Sequence, residues 1–365
     1  MVPVTGGNLP ALGRIGGDHV RAAEAAAAVR GASHPSLLHG FAGITPAVRA
    51  LVFDGSLSLR PRHPEPRAED GDTLLRVRQA GVCATDLEIT RGYMGFRGVL
   101  GHEFVAEVVS SPQKDLVGER VVGEINVVCG RCDLCLSGLS NHCRNRTVLG
   151  IHNRDGAFAD LVRLPAVNLH VLPKSVDDDA AVFVEPLAAA FQVLKQVKVD
   201  PKKWVTVLGD GRLGLLVAQV LRDAGCPVRV IGKHPDKLAL CEKWSIRSRP
   251  LADIAPRHDQ DVVVDCTGSA GGFELAMQMV RPRGTIVLKS TFAAGKPLNL
   301  APLVIDEINV VGSRCGPFRE AIRALAEKRI DVASLIHRRM RLDQGVEAME
   351  LAGRPGVLKV ILTMD

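Results

Sequence analysis

The hexapeptide Gly209-Asp210-Gly211-Arg212-Leu213-Gly214 constrains this chain more than any other feature. It follows the apolar run Trp204–Leu208, which has the length and branching of a buried strand, and it opens Leu213–Asp223, which has helical spacing. In such a strand–turn–helix setting, glycines let the backbone approach a pyrophosphate whose charge is met by amides at a helix N-terminus. The alternation continues with strands at Val228–Ile231, Asp261–Cys266 and Thr285–Leu288 and helices at Pro235–Lys243 and Gly271–Val280. That rhythm predicts a parallel sheet covered by helices on both faces. Gly209, Gly211, Arg212, Leu213 and Gly214 are therefore the candidate dinucleotide contacts.

The second strand of such a sheet ends about 20 residues on, where an NAD site carries Asp or Glu for the ribose 2′-hydroxyl. Here the residues are Gly232-Lys233-His234, followed by Lys237; the nearest acid, Asp236, lies in the next helix. With no carboxylate at the strand end and cations beside it, a 2′-phosphate is favoured. The expectation is NADP, with NAD as the alternative and Lys233 and His234 as contacts.

At roughly 100–200 residues per domain, 365 residues predict two domains. Residues 1–46 stand apart: rich in Gly, Ala and Pro, they read as a leader, either disordered or targeting. The expected location is cytoplasmic, or mitochondrial or plastid if the leader is a targeting peptide. Residues 47–190 are strand-dominated, with Ala50–Phe53 and Leu57–Leu59 bracketing a turn at Asp54-Gly55. Further strands are expected at Thr73–Gln79, Glu103–Val109, Arg120–Val122 and Phe158–Leu164, and a helix over Asp177–Lys195. Residues 191–315 hold the dinucleotide pattern. Residues 316–365 add helices at Phe318–Lys328 and after Gly345, with a closing strand at Leu358–Leu362. No run reaches the ~18 apolar residues of a membrane span, since Ala180–Leu194 is broken by Glu185 and Pro186. A net charge of +6 with only 4% aromatic residues gives no nucleic-acid signature, and the basic cluster His337–Arg341 reads as a solvated face.

Nine cysteines are too few for a disulfide scaffold and are unevenly placed. Cys129, Cys132, Cys135 and Cys143 supply four thiolates within 15 residues, the closed all-sulfur pattern of a structural zinc site. An iron–sulfur cluster is the next possibility. Glu185, inside an apolar run, is costly to bury unpaired, and a metal would compensate it. Taken singly, Cys83 reads as a buried small hydrophobe and His102 as a satisfied strand-end histidine. The other cysteines, Cys226, Cys241, Cys266 and Cys315, read as core thiols.

Gly81-Val82-Cys83-Ala84-Thr85-Asp86, Gly101-His102-Glu103, the four-cysteine loop, Glu185-Pro186-Leu187-Ala188 and the glycine turn occur in one order and spacing. From about Val48 onward the chain resembles the zinc-dependent medium-chain alcohol dehydrogenases, in the polyol, sugar and threonine dehydrogenase branch. The resemblance implies an α/β protein, with a GroES-like, mostly-β catalytic domain and a doubly wound Rossmann cofactor domain. It also implies two zincs per chain. Cys83 and His102 would ligate the catalytic one, with Glu103 and Glu185 as direct or water-bridged partners, and Asp86 would orient His102. Lys359 matches a position that contacts the cofactor pyrophosphate, and Thr267 is a further cofactor contact. Thr85 would take the proton of a substrate hydroxyl, and Arg91–Phe96 would line the substrate pocket.

Two positions depart from the pattern. Ala106 replaces a glycine, and Glu88 replaces the histidine that ends the proton relay in some members. The implied activity is interconversion of a secondary alcohol or polyol and its ketone with NAD(P), in a homodimer or homotetramer. A catalytically silent zinc- and NADP-binding relic with a scaffold or regulatory role is the alternative.

Overall fold

The computed structural model describes residues 47–66, 71–290 and 298–365; the expected leader lies outside them. The strand-rich half begins with β1 (Ala47–Phe53), β2 (Leu57–Pro64), β3 (Asp72–Gly81), α1 (Ala84–Thr90), β4 (Gly98–Val99) and β5 (Glu103–Ser110). It continues through β6 (Arg120–Gly123), β7 (Asn126–Val127), α2 (Asp133–Leu136), β8 (Thr147–Val148), β9 (Leu161–Pro165) and β10 (Leu169–Val171). The helices α3 (Asp178–Ala181) and α4 (Val184–Gln196) lead into the alternating half. That half comprises β11 (Val205–Leu208), α5 (Arg212–Asp223), β12 (Val228–Gly232), α6 (Pro235–Lys243), β13 (Arg247–Pro250), β14 (Gln260–Asp265), α7 (Ala270–Met279), β15 (Val280–Leu288), α8 (Ala301–Ile305) and β16 (Asn309–Gly312). Last come α9 (Phe318–Ala326), β17 (Ile336–Arg341), α10 (Gly345–Ala352) and β18 (Lys359–Thr363).

The alternating half forms a six-stranded, wholly parallel sheet in the order β13-β12-β11-β14-β15-β16. Period-2 alternation sends Val205, Val207, Val230, Val264 and Val287 into one core cluster and Leu208, Ile231, Val263 and Ile286 into another. Both faces are thus covered, as a parallel sheet requires. Chain direction reverses its progress across the sheet between β11 and β14, opening a crevice at the carboxyl ends of the strands.

The strand-rich half holds a seven-stranded sheet, ordered β10-β6-β5-β3-β18-β17 with β9 also on β3, beside a three-stranded sheet and a short β7–β8 pair. The β1–β2 hairpin turns at Asp54-Gly55, where Gly55 takes φ +115°. Strand β18 returns from the far end of the chain to pair antiparallel with β3 and parallel with β17. The expected domain boundary at 190 falls inside α4, which packs into the same cluster as β11, α5 and α9.

Several expectations need correction. The helix expected over Asp177–Lys195 is two helices. An unbroken one would need an N–H at Pro186 to reach Val182, and proline fits only within the first turn of a new helix. Strand β9 begins at Leu161 instead of Phe158, because Phe158 bonds through its backbone to Leu51 and Leu100. The basic cluster His337–Arg341 is the solvated face expected, lying in β17, an edge strand with its arginines largely exposed. Strands β13 and β16 were not expected. Cys226 and Cys241 are buried, but Cys266 and Cys315 are only half-buried, and Asn126 donates to Cys315 Sγ at 3.2 Å. No helix among the described residues is long and apolar enough to cross a membrane.

Candidate active site and metal centres

Strands β3 and β5 are antiparallel neighbours with Gly81 opposite Glu103, so the end of one and the start of the other lie side by side. That register brings Cys83, His102 and Glu103 together, with one donor atom from each within 4.8 Å of the others. Asp86, fully buried, fixes the group. Its Oδ2 accepts from Cys83 N at 2.8 Å and its Oδ1 from Gly101 N at 3.3 Å. His102 Nδ1 is 3.2 Å from Asp86 Oδ1, an ion-pair distance too poorly aligned for a hydrogen bond, so that ring nitrogen is buried without one. Burial alone would lower the imidazole pKa, but the Asp86 carboxylate and Cys83 raise it well above the usual value. Thr85 Oγ1 stands 3.6 Å from Cys83 Sγ.

Glu185, on the first turn of α4, lies outside the 4.8 Å set. Burial pushes its carboxyl up to about 7; His102, Lys359 and Lys289 pull it down while Glu103 pushes it up. Lys359 is 1% exposed. Its Nζ pairs with Glu103 Oε2 and donates to the Val82 carbonyl at 3.3 Å, over the Phe183 ring. Gly81 makes room for this pair: a Cβ there would stand 2.7 Å from Glu103 Oε2.

The second cluster is Cys129, Cys132, Cys135 and Cys143, whose Sγ atoms also lie within 4.8 Å of one another. Cys132 is 3.5 Å from Cys135 and 3.8 Å from Cys143, and Cys143 is 3.5 Å from Cys129. A tetrahedron with Zn–S bonds of about 2.3 Å has sulfur–sulfur edges of about 3.8 Å, so the four thiols fit a zinc ion. Amides of Arg131 and Cys132 bring the Cys129 thiol down to about 6.

The glycine turn sits at the carboxyl end of β11. Gly209 takes φ +104°, Gly211 caps α5 with open space around it, and a Cβ on Gly214 would meet the Gly209 carbonyl at 2.0 Å. The three glycines thus serve turn, ligand approach and helix–strand packing, the division a pyrophosphate site uses. Leu213 packs against the core, and Arg212 donates to the Leu358 carbonyl at 2.8 Å. Thr267, just beyond β14, is held through its amide and hydroxyl by Asp265 Oδ1.

Residues 69–174 match the model of the alcohol dehydrogenase GroES-like domain, and residues 213–329 match that of the zinc-binding dehydrogenases. An L-threonine 3-dehydrogenase of Streptomyces avermitilis is 32% identical over 326 residues, covering 82% of this chain and 94% of that protein. The chain belongs to the zinc-dependent medium-chain alcohol dehydrogenase family. A sorbitol dehydrogenase of Halalkalibacterium halodurans is 29% identical over 322 residues, covering 82% of this chain and 94% of that protein. Among solved structures, a protein of Sinorhizobium meliloti described as a zinc-binding dehydrogenase and bound to NADP superposes with a TM-score of 0.79. It is 27% identical and covers 87% of this chain and 99% of its own. The GroES-like plus Rossmann architecture expected from the sequence is the one observed.

In this dehydrogenase two sequence-derived assignments change. Lys359 does not offer its ammonium to a pyrophosphate, because that group is buried against Glu103. The premise of the NADP expectation also fails: a carboxylate does reach the end of β12, from Asp210 in the turn. Its Oδ2 accepts from the amides of Lys233 and His234, both at 2.7 Å. Arg91–Phe96 lines a cavity of about 650 Å³ only through Met94, Gly95 and Phe96, and that cavity includes none of Cys83, Thr85 or His102. Lys289 was not anticipated. Buried at the end of β15, it donates to the Ala189 carbonyl of α4 at 2.6 Å and to Ser313 Oγ at 3.2 Å. Burial lowers its pKa to about 8. A lysine closing the apolar run Thr285–Leu288 was its only trace in the sequence.

Proposed function

We propose that this zinc-dependent oxidoreductase of alcohols or polyols acts on a secondary carbinol, with Cys83, His102 and Glu103 holding the catalytic metal. The observation that carries this reading is the convergence of three unlike donors beside Thr85, at the end of β3, with Asp86 bracing two of them. A closed four-thiol site holds a second zinc and orders the loop around α2. Held by Cys83, His102 and Glu103, zinc would supply Lewis acidity, and a nicotinamide dinucleotide held at the Gly209–Gly214 turn would supply hydride-accepting capacity.

The chain's own part is positioning and proton handling. Thr85 Oγ1 takes the hydroxyl proton as the carbonyl forms. Glu88, one turn further along α1, is engaged by Arg91 at 2.7 Å, and the proton leaves to solvent. Glu185, outside the 4.8 Å donor set, would be a water-bridged partner of the metal. The free thiols require a reducing compartment, as the cytoplasmic expectation supposes.

The active form is a homodimer joined through β16. Among the described residues that strand has no partner on its outer edge, and it lies beside exposed Leu300, Val304, Ile305 and Val310. A two-fold axis would pair that edge with its own copy.

Metal analysis with a screen of secondary alcohols, polyols and their ketones, followed by NAD(P)H absorbance, tests the reading. Two zincs per chain, one leaving with activity on chelation, is the expected result. A single zinc with no turnover of any of these substrates would favour the silent relic.

A further inference from the structure

We propose that Asp210, at the second position of the glycine turn, is the acceptor for the adenosine ribose hydroxyl and makes this enzyme select NAD over NADP. The inference rests on the reading of the chain as a nicotinamide-dependent dehydrogenase and adds the residue that chooses the cofactor.

The strand order places the adenosine ribose over the end of β12, where an acidic side chain is the usual acceptor. The residue there is Gly232. A Cβ built on it would stand 2.4 Å from Asp210 Oδ2 and 2.6 Å from Asp210 Cγ. The turn's carboxylate therefore fills the space into which a side chain at 232 would start, and glycine is the residue that allows it. Asp210 is 6% exposed and tightly held. Its Oδ2 accepts the Lys233 and His234 amides, and His234 Nδ1 lies 3.1 Å from both carboxylate oxygens. Burial would raise its pKa, but these contacts hold it below the usual carboxylate value, so it is ionised at neutral pH.

A carboxylate has about four acceptor positions. The two amides and the shared imidazole leave one on Oδ1, which suits a donating ribose hydroxyl. A 2′-phosphate has no proton to donate to it. The two amides before α6 that would otherwise cradle such a phosphate are already taken by Asp210. Lys237, in the first turn of α6, is 5% exposed, and no hydrogen bond or ion pair reaches its ammonium among the described residues. That ammonium keeps contact with solvent, and a cation with no protein partner beside this junction can meet arriving ligand oxygens.

The test is dissociation constants for NADH and NADPH, by cofactor fluorescence, on the zinc-loaded full chain. Wild type should bind NADH at least about tenfold tighter than NADPH. Asp210→Asn should reduce that ratio by about tenfold or more. In Asp210→Ala combined with Gly232→Asp, which moves the carboxylate to the strand end, the ratio should return. Competition by 5′-AMP against 2′,5′-ADP reads the same preference on unaltered protein, so a variant that folds poorly does not blunt the test. NADPH bound more tightly by wild type, or an unchanged ratio in Asp210→Asn, overturns the assignment alone. Binding of neither dinucleotide overturns the dehydrogenase reading and the assignment with it.

Discussion

Asp86 shows what one residue does for a metal centre. It touches the amide of Cys83, the amide of Gly101 and the ring of His102, so it fixes both strand ends that supply donors. Asp86→Asn should therefore weaken the catalytic metal by about 10–100-fold, the range for losing a partner that orients a ligand. Zinc retention against graded chelator checks it: the four-thiol zinc should be unaffected while the other leaves early. Cys83, His102 and the four cysteines were visible in the sequence because their spacing is short or their motif local. Asp210 was visible as part of the glycine turn, yet its role was not, because reaching Gly232 depends on two parallel strands lying side by side. The partnership of Glu103 and Lys359 was hidden for the same reason, with 256 positions between them.

Elements were legible where their apolar residues kept a period. The parallel strands β11, β12, β14 and β15 stood out as apolar runs, whereas β13 (Arg-Ser-Arg-Pro) and β17 (Ile-His-Arg-Arg-Met-Arg) did not. Both are edge strands, where charge on the outer side deters pairing and erases the apolar alternation. Packing between elements makes two predictions. A Cβ on Gly156 would stand 2.3 Å from the Gly101 carbonyl and 2.4 Å from that of Leu100, and backbone cannot give way as a side chain tip can. Gly156→Ala should destabilise the protein by about 3 kcal/mol or more in urea unfolding, with the segment before His102 displaced.

Asp331 gives the second. It joins the end of α6 to the segment after α9 by accepting from Lys243 Nζ at 2.8 Å, Trp244 Nε1 at 3.0 Å and Ser334 Oγ at 2.6 Å. Burial would raise its pKa, but these donors hold it far below the usual value. A depressed carboxylate stabilises the fold fully above its unfolded pKa of about 3.9, and that contribution fades as pH falls toward the folded value. Asp331→Asn should cost about 1.5–3 kcal/mol at neutral pH, with the gap from wild type closing below about pH 4 in urea melts.

At the scale of the whole molecule, the outer edge of β16 and the exposed Val304 and Ile305 make assembly testable. Val304→Asp with Ile305→Asp should convert the proposed dimer to monomer in analytical ultracentrifugation, with zinc content equal to that of wild type; a wild-type monomer would remove the premise. A last consequence belongs to β18. This strand lies between β3 and β17, and its first residue, Lys359, pairs with Glu103, itself one of the three grouped metal donors. During translation β3 emerges some 280 residues before its partner, about 14–56 s at 5–20 residues per second. The alternating half can fold in that interval, while the metal pocket waits with an open sheet edge and an uncompensated carboxylate. Nascent chains halted before residue 359 should therefore be the ones that chaperones hold and proteases clear, whatever the state of their cofactor domain.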